Sequence, residues 1–269
     1  MSDLFDDLRF VKNGPATIAY VVAGPSGDEA PTVCFIASTG RGPEDFNHLC
    51  KILVNLGIRI VLPWPRGIGQ STGPTDGVDF HDLASDAAAA LDCESGSAGA
   101  FVAGHAYGCW IARTIANNYP ESIKGVILLA AGAGKWPEYL SRAIDTAMSN
   151  EAPEQERLDA LRLAFFSEPH DPHPWLDGWS ASLASMQRAA RARTDKSTWW
   201  SSGTAPILDM VGLQDPFRSA DDLEFYVSEF GSRVELRLVD GASHALPEEK
   251  PDEVAAHMLD WLHRQRQTR

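Results

Sequence analysis

Residues 101–110 read FVAGHAYGCW. The apolar run that leads into Gly104 reads as a buried strand, and the residues from about 106 to 118 read as a helix. The join between them is Gly104-His105-Ala106-Tyr107-Gly108. A strand that turns straight into a helix needs small residues, because the turn is tight and its central backbone is strained. Gly104 and Gly108 hold the two positions where a side chain would collide with neighbouring backbone, and Ala106 sits at the tip. Taken alone, the pentapeptide fits a plain strand–helix turn with two incidental glycines equally well.

Outward from this join, short apolar runs alternate with longer amphipathic ones. LRFVKNG and ATIAYVVAG predict an opening hairpin turned at Asn13-Gly14-Pro15. TVCFIAS, a helix near 43–57, IRIVLP, and an alanine-rich helix near 79–92 lead into the quoted stretch, and KGVILLAA follows it. APILDMVG, a helix near 219–229, RVELRLV and a last helix from about Pro251 close the chain. Pro251 followed by Asp252 and Glu253 suits a helix first turn, by its fixed φ and by favourable charge. Such alternation predicts an α/β fold, a mostly parallel twisted sheet with helices on both faces. It stops between 134 and 203, where ERLDALRLAFF puts Leu158, Leu161 and Phe165 on one helical stripe and SEPHDPHPW reads as a proline-broken loop. The expected organisation is a core of residues 1–133 and 204–269 with a helical insertion at 134–203.

Composition narrows the partners. The 269 residues include 23 Lys plus Arg against 37 Asp plus Glu, a formal net charge of −14. So acidic a chain has no general attraction to phosphate backbones, which argues against nucleic acid. The longest apolar run, GVILLAAGAG, is far too short to span a bilayer, and MSDLFDDLRF lacks the basic and apolar regions of a secretory signal. Cys34, Cys50, Cys93 and Cys109 show no metal-ligand spacing, and a reducing, cytoplasmic setting is the simplest expectation.

Two later segments give the strand–helix join a context. GLQDP places Asp215 just past one predicted strand, and GASHALPEEKP places His244 just past the next. The carboxyl ends of parallel strands share one edge of the sheet, where ligands bind, so Ala106, Asp215 and His244 are expected to converge. A carboxylate bonded to one imidazole nitrogen fixes the tautomer and leaves the other nitrogen free to take a proton.

Together these pieces resemble the α/β-hydrolase fold family along nearly the whole chain. GHAYG matches the family's nucleophile elbow, except that Ala106 replaces Ser, Cys or Asp. Gly212 to Asp215 resembles its acid loop, and His244 with Glu249 and Pro251 its histidine loop. RGIGQS, residues 66–71, resembles its R-G-x-G-x-S turn, although Trp64 stands where an aspartate is common. The usual His-Gly after the third strand is replaced by ASTGRG. The resemblance implies oxyanion donors at the backbone N–H groups of Thr39 and Tyr107. It also implies that His105 packs beneath the elbow and that the insertion forms a cap over the site.

The insertion holds Trp136, Trp175, Trp179, Trp199 and Trp200, five of the chain's eight tryptophans. Aromatic walls suit a small apolar or aromatic substrate, and packing of cap on core accounts for most of the five. Trp136 and Trp179 are the substrate-binding candidates of the insertion, with Ser38 on the opposite lip; Arg41, close to that loop, is either a binder of an anionic group or, as such arginines more often are, a solvated or structural partner. The expected function is ester or lactone chemistry by an enzyme with a His244–Asp215 pair and Ala106 in place of the nucleophile. Three routes stay open. The chain is a serine-hydrolase scaffold lacking one oxygen, or a general-base enzyme with lyase- or oxygenase-type chemistry, or a ligand receptor without turnover. No metal and no organic cofactor is implied, and the expected partner is a small molecule.

Overall fold

Eight strands form one sheet in the computed structural model, which describes residues 4–27, 30–95 and 100–267. They are β1 (Leu8–Asn13), β2 (Ala16–Ala23), β3 (Thr32–Ile36), β4 (Arg59–Pro63), β5 (Ala100–His105), β6 (Ile123–Leu129), β7 (Ile207–Gly212) and β8 (Val234–Val239). Their spatial order is β1-β2-β4-β3-β5-β6-β7-β8. The first hairpin pairs antiparallel with itself and with β4; every pairing from β4 through β3 to β8 is parallel. Every residue of β3, β4, β5 and β7 is buried, as expected of strands covered on both faces.

Helices α1 (Asn47–Asn55), α2 (Phe80–Asp92) and α3 (Gly108–Asn118) follow β3, β4 and β5. The period of two along β5 sends Ala100 and Val102 into the core shared with α2 and α3. It sends Phe101 and Ala103 into the core shared with α1 and the C-terminal helix. Asp79 starts α2 with a capping box, its side chain accepting from the His81 and Asp82 amides.

Between β6 and β7 lie α4 (Glu138–Met148), α5 (Glu154–Ala164) and α6 (Ala181–Arg193), with no strand among them. Leu158, Leu161 and Phe165 are buried as the stripe predicts. Leu140, Leu161, Phe165 and Trp175 form a third apolar cluster that includes Phe217 and Ala245 of the core. After β7 come α7 (Phe225–Phe230), then α8 (Leu246–Glu249) and α9 (Pro251–Gln267).

Three local expectations are corrected. The first helix begins at Asn47, because Pro43–Phe46 winds as a tighter turn. The helix expected at 219–229 is a turn at Ala220–Asp222 followed by the short α7. Leu246–Glu249 is helical, whereas the sequence had suggested only a loop before Pro251. Cys34, Cys50 and Cys109 are buried free thiols, and Cys93 is exposed. No helix among the described residues is long and apolar enough to cross a membrane.

Candidate active site

The join after β5 is a strained elbow. Ala106 has φ +50°, a left-handed conformation that costs an L-residue about 1–2 kcal/mol. A Cβ at Gly104 would run into the backbone of Gly108, and one at Gly108 into the Ile36 carbonyl oxygen. The two glycines are therefore requirements of the packing and not incidental. Beneath the tip, His105 is buried and its Nε2–H donates to the His244 carbonyl oxygen at 2.7 Å. Desolvation, helped by the neighbouring His244, pulls the His105 pKa down to about 3, so the ring is neutral. Cys109 turns away from the tip, its thiol donating to the Gly104 carbonyl oxygen at 3.0 Å.

His244 and Asp215 meet across two neighbouring strand ends. Nδ1 of His244 lies 2.9 Å from Oδ2 of Asp215, and both side chains are buried. Oδ1 of Asp215 accepts from the Phe217 amide at 2.8 Å, which turns the carboxylate toward the imidazole. The Phe217 ring lies 4.3 Å from the His244 ring and closes its other side. The loop after Asp215 is anchored by Arg218, which is wholly buried with Asp209 of β7 at 2.5 Å and also donates to the carbonyl oxygens of Ala131, Asp222 and Leu223. Burial pushes the Asp209 pKa up to about 6 against the pull of Arg218, which leaves the pair ionic at neutral pH.

The histidine loop is tied to the insertion by Glu249. Its Oε1 accepts from the amide and hydroxyl of Ser167, at 2.7 and 2.8 Å, and its Oε2 from the Ser243 amide at 2.6 Å. Burial raises its pKa above the ordinary carboxylate value. Two more bonds join the same segments: the Ala245 amide donates to the Phe165 carbonyl oxygen at 2.7 Å, and His170 Nε2 to that of Gly241 at 3.0 Å.

A cavity of about 440 Å³ lies between this edge of the sheet and the insertion. Ala106, His244, Ser38, Thr39 and Tyr107 line it from the core; Trp136, Phe165 and Trp179 line it from the insertion. The amides of Thr39 and Tyr107 donate to no other protein group among the described residues, and Nε2 of His244 likewise has no partner there. Such an arrangement, two free N–H groups and one free imidazole nitrogen around a pocket, can hold an oxyanion and move a proton.

Residues 37–257 match the sequence profile described as the alpha/beta hydrolase family. The chain belongs to that family. Among solved structures it is similar to a hydrolase from Pseudomonas aeruginosa, with 21% identity, a TM-score of 0.74, and coverage of 96% of this chain and 98% of that one. It also resembles a thermophilic esterase from Thermogutta terrifontis, at 19% identity and TM-score 0.75, covering 97% and 99%. An esterase from Exiguobacterium antarcticum gives 17%, 0.74, 94% and 98%. No curated protein matches in sequence.

Against the family pattern, one anticipated residue falls elsewhere. Arg41 does not line the cavity: its guanidinium is buried between Trp175 and Trp179, paired with Asp45 at 2.5 Å, and donates to the Asp177 carbonyl oxygen. Its charge is already used, which corrects the expectation of an anion-binding role. Of the five insertion tryptophans, Trp175 and Trp199 are core, whereas Trp200 packs with Tyr226 and Phe230 around Arg113. The R-G turn is structural. Arg66 forks onto buried Asp86 at 2.6 and 2.8 Å, and Ser71 bonds the Trp64 carbonyl oxygen and the Ala19 amide.

Sequence reasoning missed Trp110, Phe217, Arg188 and Arg191, all on the cavity wall. Trp110 was legible, since it stands four residues past Ala106 and so on the same helical face. The arginines were not, because their placement depends on how α6 docks.

Proposed function

We propose that the cavity is an acyl-hydrolase active site for a small ester or lactone with apolar or aromatic character, with residues 134–203 as its cap. Ala106 occupies the nucleophile position and His244, oriented by Asp215, is the base. The observation that carries this reading is the retained elbow: Ala106 holds φ +50° on the wall that it shares with His244. Ala130 and Ser202 share the left-handed conformation, but neither lines the cavity, and strain that faces a pocket points to a functional site.

In the protein as it stands the methyl group attacks nothing, and the base acts on water. Nε2 of His244 takes a proton from a water molecule while its oxygen bonds to the acyl carbonyl carbon. The carbonyl oxygen gathers the negative charge between the Thr39 and Tyr107 amides. The carbon–oxygen bond to the leaving alkoxide then breaks, and the imidazolium returns the proton to that oxygen. Phe217 and Asp215 keep the ring and its tautomer in place throughout.

A comparison of this protein with Ala106→Ser tests the reading. Short p-nitrophenyl esters and an activated phosphonate are the probes. Loss of a catalytic serine alone costs about 10⁶-fold in a well-studied protease. Ala106→Ser is therefore expected to raise ester turnover by at least about 100-fold and to gain phosphonate labelling, both abolished by His244→Ala. An inert Ala106→Ser variant would reject the acyl-hydrolase reading. Ligand binding that survives His244→Ala with no turnover in any variant would favour a receptor.

A further inference from the structure

One cation on the cavity wall lacks a counter-ion. Arg188 and Arg191 both reach it from α6. Arg188 is ion-paired with Asp145 of α4. The Arg191 side chain makes no hydrogen bond and no ion pair among the described residues; besides burial, the group that bears on its charge is the Tyr107 phenol. That phenol is itself committed, donating to the Gln187 carbonyl oxygen at 3.1 Å.

Arg191 is held in place without being satisfied. Its guanidinium lies 4.4 Å over the Trp110 ring and 5.9 Å from that of Trp136. A guanidinium held over an indole ring by cation–π attraction keeps its N–H donors available for a ligand. The contrast with Arg41 is direct. That arginine is also stacked on two tryptophans, but its edge is filled by Asp45 and a backbone carbonyl. Arg113, stacked among four aromatic rings, is sealed in the core and offers no edge to a ligand. Of these three arginines, only Arg191 lines the cavity beside the elbow with N–H groups that have no partner among the described residues.

Trp110 stands one helical turn beyond Ala106, about 6 Å along α3. Arg191 and Ala106 line the same cavity, so a small molecule whose reacting carbonyl sits over Ala106 can reach the guanidinium. The net charge of −14 disfavours anions near the protein in general, so an anionic ligand must be held locally. A single guanidinium edge presents two parallel donors that a carboxylate accepts bidentately, and its one positive charge balances a carboxylate but only half of a phosphate dianion.

We infer that Arg191 is a specificity residue for a substrate carboxylate, so that the site takes small esters or lactones carrying a free carboxylate away from the reacting bond. The location of the reacting bond rests on the acyl-hydrolase reading; recognition of the carboxylate does not. Trp110 sets the guanidinium plane, and the apolar walls accept the carbon skeleton between the two ends.

Binding to the unaltered protein tests the inference without turnover. Calorimetric titrations with 4-phenylbutyrate and with its neutral amide compare one skeleton with and without the charge. The carboxylate is expected to bind about 10- to 100-fold more tightly than the amide, the range of a charged hydrogen-bonded contact. Arg191→Met is expected to bring that ratio close to one while leaving amide affinity unchanged, and Arg191→Lys to recover part of it. Equal binding of the two probes by the unaltered protein, or a ratio that survives Arg191→Met, overturns the inference. So does parallel weakening of both probes in Arg191→Met, which would make the arginine a prop for Trp110. Should Ala106→Ser prove inert while the ratio behaves as expected, the acyl-hydrolase reading fails and carboxylate recognition stands.

Discussion

His105 shows how one side chain beneath the elbow can set a pH dependence for the whole fold. Its pKa in the folded protein is about 3, against an ordinary 6.5, because burial excludes the charged form. Below pH 6.5 the unfolded chain takes up a proton that the folded chain refuses. The stability associated with a neutral His105 is thus fully present above pH 6.5 and is lost progressively as pH falls toward 3. Between pH 7 and pH 5 the loss is about 2 kcal/mol. His105→Gln keeps a donor for the His244 carbonyl oxygen but cannot be protonated. Urea unfolding at the two pH values should show the parent losing about 2 kcal/mol more than the variant. Equal losses would place the titration elsewhere.

At the scale of elements, the elbow depends on how closely α3 approaches β3 and β5. Gly108 lies against the Ile36 carbonyl oxygen, and Gly104 against Gly108 itself. These neighbours are backbone, so they cannot rotate aside for a methyl group. Gly108→Ala is expected to cost about 2–3 kcal/mol and to lower the unfolding midpoint by about 5–10 °C. Gly134, which has open space around it, is the control in a melting experiment, although its positive φ of 119° makes an alanine there strained as well. A Gly108→Ala loss no larger than that of Gly134→Ala would mean that the elbow has more slack than its contacts indicate.

Across the whole molecule, what the sequence made legible divides by the range of the interaction responsible. The strands, their alternation and the convergence of Ala106, Asp215 and His244 on one edge follow from periodicity and from the parallel sheet. Arg41 takes the structural one of its two readings, but its partners, Asp45 four residues on and two tryptophans more than 130 residues on, were not legible because they come together only when the insertion docks. Asp209 did carry a signal, a carboxylate in the middle of the apolar run ILDMVG, but its partner Arg218 is supplied by the loop after the strand. Glu249 matched a family pattern without a reason; the reason is Ser167, 82 residues away. Glu249→Ala would strand the Ser167 and Ser243 amides, at about 1–3 kcal/mol for each buried donor left unpaired. Denaturant unfolding should therefore show a loss of about 2–5 kcal/mol, with Gln in its place recovering part. A change below about 0.5 kcal/mol would mean that water replaces the carboxylate.

The bonds from residues 165–170 to residues 241–249 also make the two sides of the insertion unequal. One rim is bolted: the Phe165 carbonyl oxygen, Ser167 and His170 are all held to the histidine loop, in largely buried surroundings. The rim formed by α4 and α6 is spanned by the Arg188–Asp145 pair, more than half exposed on both sides. An exposed pair contributes at most about 1 kcal/mol and is weakened by salt. α6 is itself held to the core, with the Gly40 amide donating to Gln187 Oε1 at 2.7 Å and the Tyr107 hydroxyl to the Gln187 carbonyl oxygen at 3.1 Å, so the exposed pair ties α4 to a fixed wall. Salt is therefore expected to loosen α4 against α6 while the histidine loop and its imidazole stay held by the buried bonds to residues 165–170.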